Sequence, residues 1–396
     1  MRIGIDIRSI GGRRTGDELY TVELVRHILK TDKKNYYYLY TDVADDERLR
    51  KIKREIGEES FDDKVRIISV VPAYKLFWTF FLLLRQARKD KLDLLHVQYI
   101  TPLFFLGKLK VVTTIHDISF ARFPRFIKWL DLLFLRILIP WSLRKADGII
   151  AISQFTKNEL ISVYNVPAEK IKLIYNGGGG DSFRNYIPND NGLNSLKKYG
   201  IMKPYLLYVG TLQPRKNIVF LIDFFSELKV KYKGDALIDN LELVIRGTVG
   251  GYNYDQRIDN RLSELKDNQP DVFKKIKLID YLDRRNELLI LFSEAEVFCF
   301  PSLYEGFGLP VIEAMMVGTP VLVANSSCLP EIVRDGGLLA NPADIDDWVD
   351  KVNELLHNQK LKQKYIENGY RVAGLFDWSK TARETVDFYE ELIFKK

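Results

Sequence analysis

The feature that most constrains this chain is a rhythm. Runs of five to eight β-branched or apolar residues alternate with longer helix-like segments: RIGIDI, YYYLYT, RIISVV, LDLLHVQY, VVTTIHD and GIIAIS, then YLLYVG, LELVIRG, KIKLIDYL, VFCFPS and PVLVAN. The runs do not alternate cleanly between apolar and polar, as expected of strands buried on both faces. Strands separated by helices imply βαβ units and parallel sheets, so the fold class is α/β. The rhythm breaks at GGGGDSFRNYIPNDNGLNS (177–195) and restarts at Tyr205. The break predicts two doubly wound, Rossmann-like domains over 1–180 and 200–376, with 181–199 as a linker. A length of 396 residues agrees, being more than one core usually supports.

Composition narrows the partners. The net charge is +6, with 28% charged and 12% aromatic residues. That excess suits a phosphorylated ligand or an anionic membrane surface and is too small to argue for nucleic acid. The two cysteines, Cys299 and Cys328, read as buried thiols of a reducing compartment. MRIGIDIRSIGG has no apolar core of a signal peptide, and no run of about 20 uncharged apolar residues occurs, so a cytoplasmic location is expected.

Many of the runs end in Gly, Asp, His or Ser, and the carboxyl ends of strands are where open α/β sheets gather ligands. In SLYEGFGLPVIEAMMVGTPV, Glu305 and Glu313 stand eight positions apart around Gly306, Gly308 and Pro310. Pro310 fits a first helical turn, so the backbone N–H groups of Phe307, Gly308 and Leu309 open a helix N-terminus, a ready anion site. Eight residues of helix span about 12 Å. The acid pair of a glycoside hydrolase stands about 5–9.5 Å apart, so the two glutamates more naturally grip separate parts of one long ligand. A capping carboxylate plus a surface glutamate fits the spacing equally well.

In YVGTLQPRKN a strand ends at Gly210, and Arg215 and Lys216 precede a helix starting near Asn217. A forked guanidinium beside a point cation suits a diphosphate; a solvated basic pair is the other reading, although cations at a helix N-terminus oppose its dipole. His116 follows the strand VVTTI and could bond a substrate hydroxyl or serve the structure alone. The N-terminal loop IGGRRTGDELYT is glycine-rich without the G-x-G-x-x-G spacing. No cluster of metal-ligand type is evident.

Taken in order, FPSLYEGFGLPVIEAM, YVGTLQPRKN and SSCLPEIVRDGGLLANP, with weaker matches in RIGIDIRSIGGRRTG, TIHD, ADGIIAISQFTKNEL and KIKLIYNGG, resemble glycosyltransferase family 4, the glycosyl transferases group 1. The resemblance covers nearly the whole chain. It implies a GT-B fold, two Rossmann-like domains facing across a cleft, with a last helix (about 377–396) returning to the first. It also implies a retaining hexosyl transfer, mannosyl favoured, from a nucleotide-diphosphate sugar to a glycan or lipid-linked glycan, without cofactor or metal. Carried over position by position, Arg215 and Lys216 would bind the diphosphate, Glu313 the ribose and Glu305 the transferred sugar. The amides of Phe307, Gly308 and Leu309 would meet phosphates and sugar, alongside the Gly210–Asn217 turn. Tyr281 and Leu282 would touch the base, His116 the reacting face of the sugar, and Gly16 the phosphate from the first domain. Asp17 and Glu18 depart from the expected loop, and Arg246 is an added cation at a strand end; neither role follows from the sequence.

For the acceptor side, FPRFIKWLDLLFLRILIPWSLRK (Phe123 to Lys145) carries five basic residues against one acid. It reads as a core helix of the first domain, with a peripheral membrane patch as the alternative. A nucleotide-sugar epimerase or a non-catalytic nucleotide-sugar scaffold are the rival functions.

Overall fold

A computed structural model describes residues 1–11, 16–58, 61–71, 78–102, 108–186, 192–251, 253–280, 282 and 285–394. It divides into two compact units. The first comprises Met1–Arg122, Lys128–Gly177 and Asp377–Lys396; the second comprises Phe123–Ile127 and Gly178–Phe376.

The first unit is built on β1 (Arg2–Asp6), β2 (Tyr36–Thr41), β3 (Val65–Ser69), β4 (Leu94–Gln98), β5 (Lys110–Ile115), β6 (Gly148–Ala151) and β7 (Ile171–Leu173). All pairings are parallel, in the order β3-β2-β1-β4-β5-β6-β7. Central strands are buried on both faces, as their unbroken apolar runs require, whereas edge strand β3 is half-buried or exposed along its length. Helices of this unit include α1 (Gly16–Thr31), α2 (Trp129–Lys145) and α3 (Gln154–Tyr164), the last capped by Ser153, whose hydroxyl accepts from the Thr156 N–H at 3.1 Å.

The second unit has β8 (Tyr205–Val209), β9 (Glu242–Arg246), β10 (Ile276–Ile279), β11 (Val297–Phe300), β12 (Val321–Ala324) and β13 (Leu338–Ala340) in the parallel order β10-β9-β8-β11-β12-β13. Helix α4 (Ile218–Lys231) follows β8 and α5 (Leu309–Met316) follows β11. The strand order reverses between β1 and β4 in one sheet and between β8 and β11 in the other. At such a switch point two strand-end loops diverge and leave a crevice for ligand.

The stretch 181–199, read from its composition as a linker, is part of the second unit. Phe183 is buried against Phe292, Tyr186 shares a hydrogen bond with Ser293 at 3.0 Å, and Tyr199 donates to Glu287 at 2.8 Å. The glycines before it are there for close packing. A Cβ on Gly177 would lie 2.3 Å from the Trp378 ring, and one on Gly179 would lie 2.7 Å from Cγ of Glu313.

The last helix, α6 (Trp378–Phe394), packs on the first unit through Trp378, Thr381, Ala382, Thr385, Phe388 and Tyr389. Its first-turn cap is Asp377, which accepts from the Lys380 N–H at 2.9 Å. Tyr389 bonds the buried His96 at 2.5 Å, and Thr114 holds the other ring nitrogen at 2.7 Å. Burial pushes His96 down to about 3, so it stays a neutral structural imidazole. Both cysteines are buried free thiols.

Candidate active site

The two loops at the switch point of the second sheet are stitched together. The Leu303 N–H, beyond β11, donates to the Arg215 carbonyl, beyond β8, at 2.8 Å. Pro214–Lys216 forms a single 3₁₀ turn that stops at Asn217, whose left-handed backbone (φ 60°) redirects the chain into α4. Asn217 tolerates that conformation better than most residues, and its side-chain amide donates to the Pro342 carbonyl at 3.0 Å.

This geometry brings Arg215, Lys216 and Glu305 into one ionic cluster. Arg215 Nη1 donates to the Tyr304 carbonyl at 2.9 Å and to Glu305 Oε2 at 3.3 Å, and its Nε donates to Gln213 at 3.2 Å. Lys216 donates its ammonium to Glu305 Oε1 and rests over the Phe300 ring at 5.4 Å. Lys216 and Glu305 are only 7% exposed. Ions this deep persist only when paired, and here two cations meet one carboxylate.

Burial opposes ionisation of Glu305, but Lys216 and Arg215 outweigh it and hold the carboxyl below its ordinary value. The sign follows from linkage: a depressed carboxyl pKa stabilises the fold above the unfolded-state value and loses that contribution as pH falls through the folded value. Glu305→Gln should therefore be less stable than wild type at neutral pH. The gap should close as pH drops below about 4.5, the ordinary glutamate value, when unfolding is followed by denaturant titration at several pH values.

After Glu305 the backbone turns at Gly308 (φ 96°), a conformation natural to glycine, and α5 begins with Pro310 in its first turn. Phe307, Gly308 and Leu309 lie at this N-terminus, where backbone N–H groups without intrahelical partners favour an anion. Glu313 is buried on the same helix beside Gly179. A Cβ on Gly210 would lie 2.6 Å from the Tyr208 hydroxyl oxygen, and one on neighbouring Gly247 would lie 2.3 Å from the Gly210 carbonyl oxygen. Leu282 is buried, and Tyr281 lies outside the described residues. The sequence reading missed Ser327, whose hydroxyl accepts the Glu305 N–H at 3.0 Å, and Gly179; the motif SSCLPEIV was the available signal for the first.

In the first unit His116 gathers a second cluster at the switch point of its own sheet. The ring is 6% exposed, meets Tyr20 edge-on at 4.7 Å and lies 5.4 Å from Tyr99. Its Nε2 is 3.1 Å from Gln98 Oε1. The hydrogen-bond inventory decides which nitrogen carries the proton. Thr21 spends its one hydroxyl proton on the Asp17 carbonyl at 2.8 Å, so it accepts from Ser9 and from the Gln98 amide. Gln98 must then present its carbonyl to His116, which donates from Nε2. The His116 Nδ1 is 4.0 Å from Asp17 Oδ1. Nitrogen-15 NMR of the imidazole should show the Nε2–H form in wild type and lose that preference in Gln98→Leu. Glu18 instead shapes the loop, accepting the Gly11 N–H at 2.8 Å. Gly16 starts α1 with open space around its Cα. Gln98 and Thr21 carried no sequence signal.

Among the described residues no three His, Cys, Asp or Glu side chains converge as metal ligands would. No helix among them is long and apolar enough to cross a membrane.

Two Rossmann-like parallel-sheet units, with helices on the sheets, define a GT-B α/β protein. A solved structure of Anabaena HepE in complex with UDP-glucose superposes with a TM-score of 0.74 at 17% identity, over 99% of this chain and all of that one. The family description Glycosyltransferase Family 4 matches residues 16–177, and Glycosyl transferases group 1 matches residues 194–372. An O-antigen chain mannosyltransferase B from Escherichia coli is 30% identical over 300 residues, 72% of this chain and 71% of that protein. O-antigen chain mannosyltransferase RfbU of Salmonella typhimurium is 29% identical over 244 residues, 61% of this chain and 60% of that protein. The chain belongs to glycosyltransferase family 4 and is a glycosyltransferase.

Proposed function

We propose that this enzyme moves a mannosyl unit, with retention, from a nucleotide-diphosphate sugar to a glycan or lipid-linked glycan acceptor at the cytoplasmic face of a membrane. The observation that carries the donor half is the buried Arg215–Lys216–Glu305 cluster at the second sheet's switch point. Mannosyltransferase relatives support the sugar, and the HepE complex with UDP-glucose supports a nucleotide-sugar donor.

In this reading the diphosphate takes the cations that Glu305 holds in the free enzyme, aided by the backbone N–H groups at the start of α5. Breaking the bond between the sugar's anomeric carbon and the diphosphate oxygen leaves its electron pair on the departing nucleoside diphosphate. Arg215 and Lys216 neutralise that charge from preset positions, which is the cheapest way to stabilise a leaving group. The acceptor hydroxyl attacks from the same face and passes its proton to the leaving phosphate. Glu305, released from part of its ion pairing, accepts hydrogen bonds from sugar hydroxyls, and Glu313 accepts from the ribose. His116 is assigned to a substrate hydroxyl through Nδ1. Two fixed cations supply the charge that the leaving group needs, so turnover is expected to survive chelation by EDTA.

The test is nucleoside diphosphate release from GDP-, UDP-, ADP- and dTDP-sugars, wild type beside Arg215→Ala, with and without acceptor glycans. Release from one donor, dependent on an acceptor and lost in the variant, is the expected result. Isomerised sugar without transfer would assign an epimerase, and binding without any turnover a scaffold.

A further inference from the structure

We propose that the first unit carries an anion site of its own, a basic cleft at the amino ends of β1, β2 and β3 that takes a free, multiply charged phosphate compound. The parallel register sets Arg2 beside Tyr36 and Tyr38 beside Arg66, so strand alternation puts all four side chains on one face of the sheet. The helix Leu83–Lys89 covers that face further along, clustering Leu83 and Ala87 with Tyr38 and Tyr40, and its end brings in Lys89 and Lys91. An open cleft of about 310 Å³ lies between, at the small end of the roughly 300–1,000 Å³ usual for ligand sites. Four cations line it against one carboxylate, Asp90. That acid is spent on neutral donors: its Oδ2 accepts from the Tyr40 hydroxyl at 2.8 Å and from the Gln86 amide at 2.9 Å. The Arg2 guanidinium donates to a backbone carbonyl, that of Asp90, at 3.2 Å. Among the described residues none of the four cations enters an ion pair. Elsewhere on this unit such cations find carboxylates, as Lys110 does with Asp147 and Arg122 with Glu159.

Lys91 is a second, independent sign. Lys89 alone would be explained by the dipole at a helix C-terminus, but Lys91 would not. It follows the helix cap in left-handed backbone (φ 54°), where glycine or asparagine commonly ends a helix and a lysine is strained. Its ammonium has no partner among the described residues, so the fold gains nothing from the choice while the cleft gains a cation. Converging like charges repel, and a ligand of opposite charge relieves them. A diphosphate matches the set: paired oxygens meet the forks of Arg2 and Arg66, and the remaining oxygens meet the two ammonium groups. With five residues in β1, the cleft lies roughly 15 Å along the strands from the carboxyl ends, where His116 stands. Its occupant is therefore a second ligand, bound apart from the chemistry at His116. The inference rests on this unit's own geometry and stands whether or not the proposed transfer reaction holds.

The experiment is calorimetric titration of the full chain with inorganic pyrophosphate in metal-free buffer. Wild type should bind at the cleft, more weakly as salt is raised. Arg66→Gln/Lys89→Gln should lose one equivalent of bound pyrophosphate, or bind it about tenfold or more less tightly. Arg215→Ala should keep that equivalent, so failure of the donor-site reading and failure of this one are told apart. Lys91→Gly separates binding from folding. It should melt close to wild type, since relief of the left-handed backbone offsets the freer unfolded chain, and still bind pyrophosphate more weakly. Arg66, Lys89 and Lys91 are exposed, so the variants should fold, and circular dichroism checks it. Equal stoichiometry and affinity in wild type and Arg66→Gln/Lys89→Gln overturns the proposal. Binding to vesicles of phosphatidic acid that pyrophosphate does not compete, lost in the same variant, would assign the cleft to a lipid headgroup and overturn it too.

Discussion

Arg215→Ala is expected to lower turnover about 10²–10³-fold, the usual loss when one preset donor to a developing oxyanion is removed. Stability should change much less. Arg215 keeps some contact with solvent, its partners include a backbone carbonyl, an amide and a carboxylate, and Glu305 retains Lys216 after the change. The arginine's fork matters for two phosphate oxygens, so Arg215→Lys should recover only part of the rate. Parallel measurement of initial rates and melting temperature checks both halves. Near-normal transfer by a folded Arg215→Ala protein would remove the cluster from the mechanism.

Lys216→Met is expected to abolish transfer and, unlike Arg215→Ala, also to lose about 3–5 kcal/mol of stability, because a buried carboxylate is deprived of its nearest cation. The aliphatic stem still fills the space over Phe300, so the loss reports the charge and not a cavity. A second substitution tests the origin. Lys216→Met/Glu305→Leu should recover most of the stability, since two apolar groups replace a buried ion pair at little net cost, while transfer stays abolished. If the double variant is as unstable as Lys216→Met, the ion pair is not what the site depends on. Denaturant titration of the four proteins completes the cycle.

The fold was legible in the sequence because a strand buried on both faces is written as an unbroken apolar run. Short edge strands such as β7 and β13 escaped the rhythm, since three residues carry no period. On the second sheet, charge adjacent to strand ends exposed the cationic turn, because Arg and Lys at a helix start need a reason to be there. His116 could be named but not its partners: Gln98 and Thr21 come from β4 and α1 and meet only after folding. Gly177–Gly180 shows the limit from the other side. A run of glycine is the same string whether it permits motion or close contact, and only the neighbours, Trp378 and Glu313, tell which. In α2, where Ile139, Ser142 and Leu143 are buried but Trp129 and Ile137 exposed, apolar residues on both faces hide which one turns inward, so a core helix and a half-exposed one read alike.

The return of α6 to the first unit has a consequence for synthesis. A ribosome delivers β1 to β7 early, yet Trp378, Phe388 and Tyr389, which complete the packing around Tyr20 and His96, come last. The intervening Gly178–Phe376 takes roughly 10–40 s to make at about 5–20 residues per second, and that unit can mature while it is being made. The earlier-born half is thus the later-finished one. A chain that stops before residue 377 would leave the nascent first sheet with an apolar flank and the imidazole of His96 lacking its tyrosine, a species that quality control should remove.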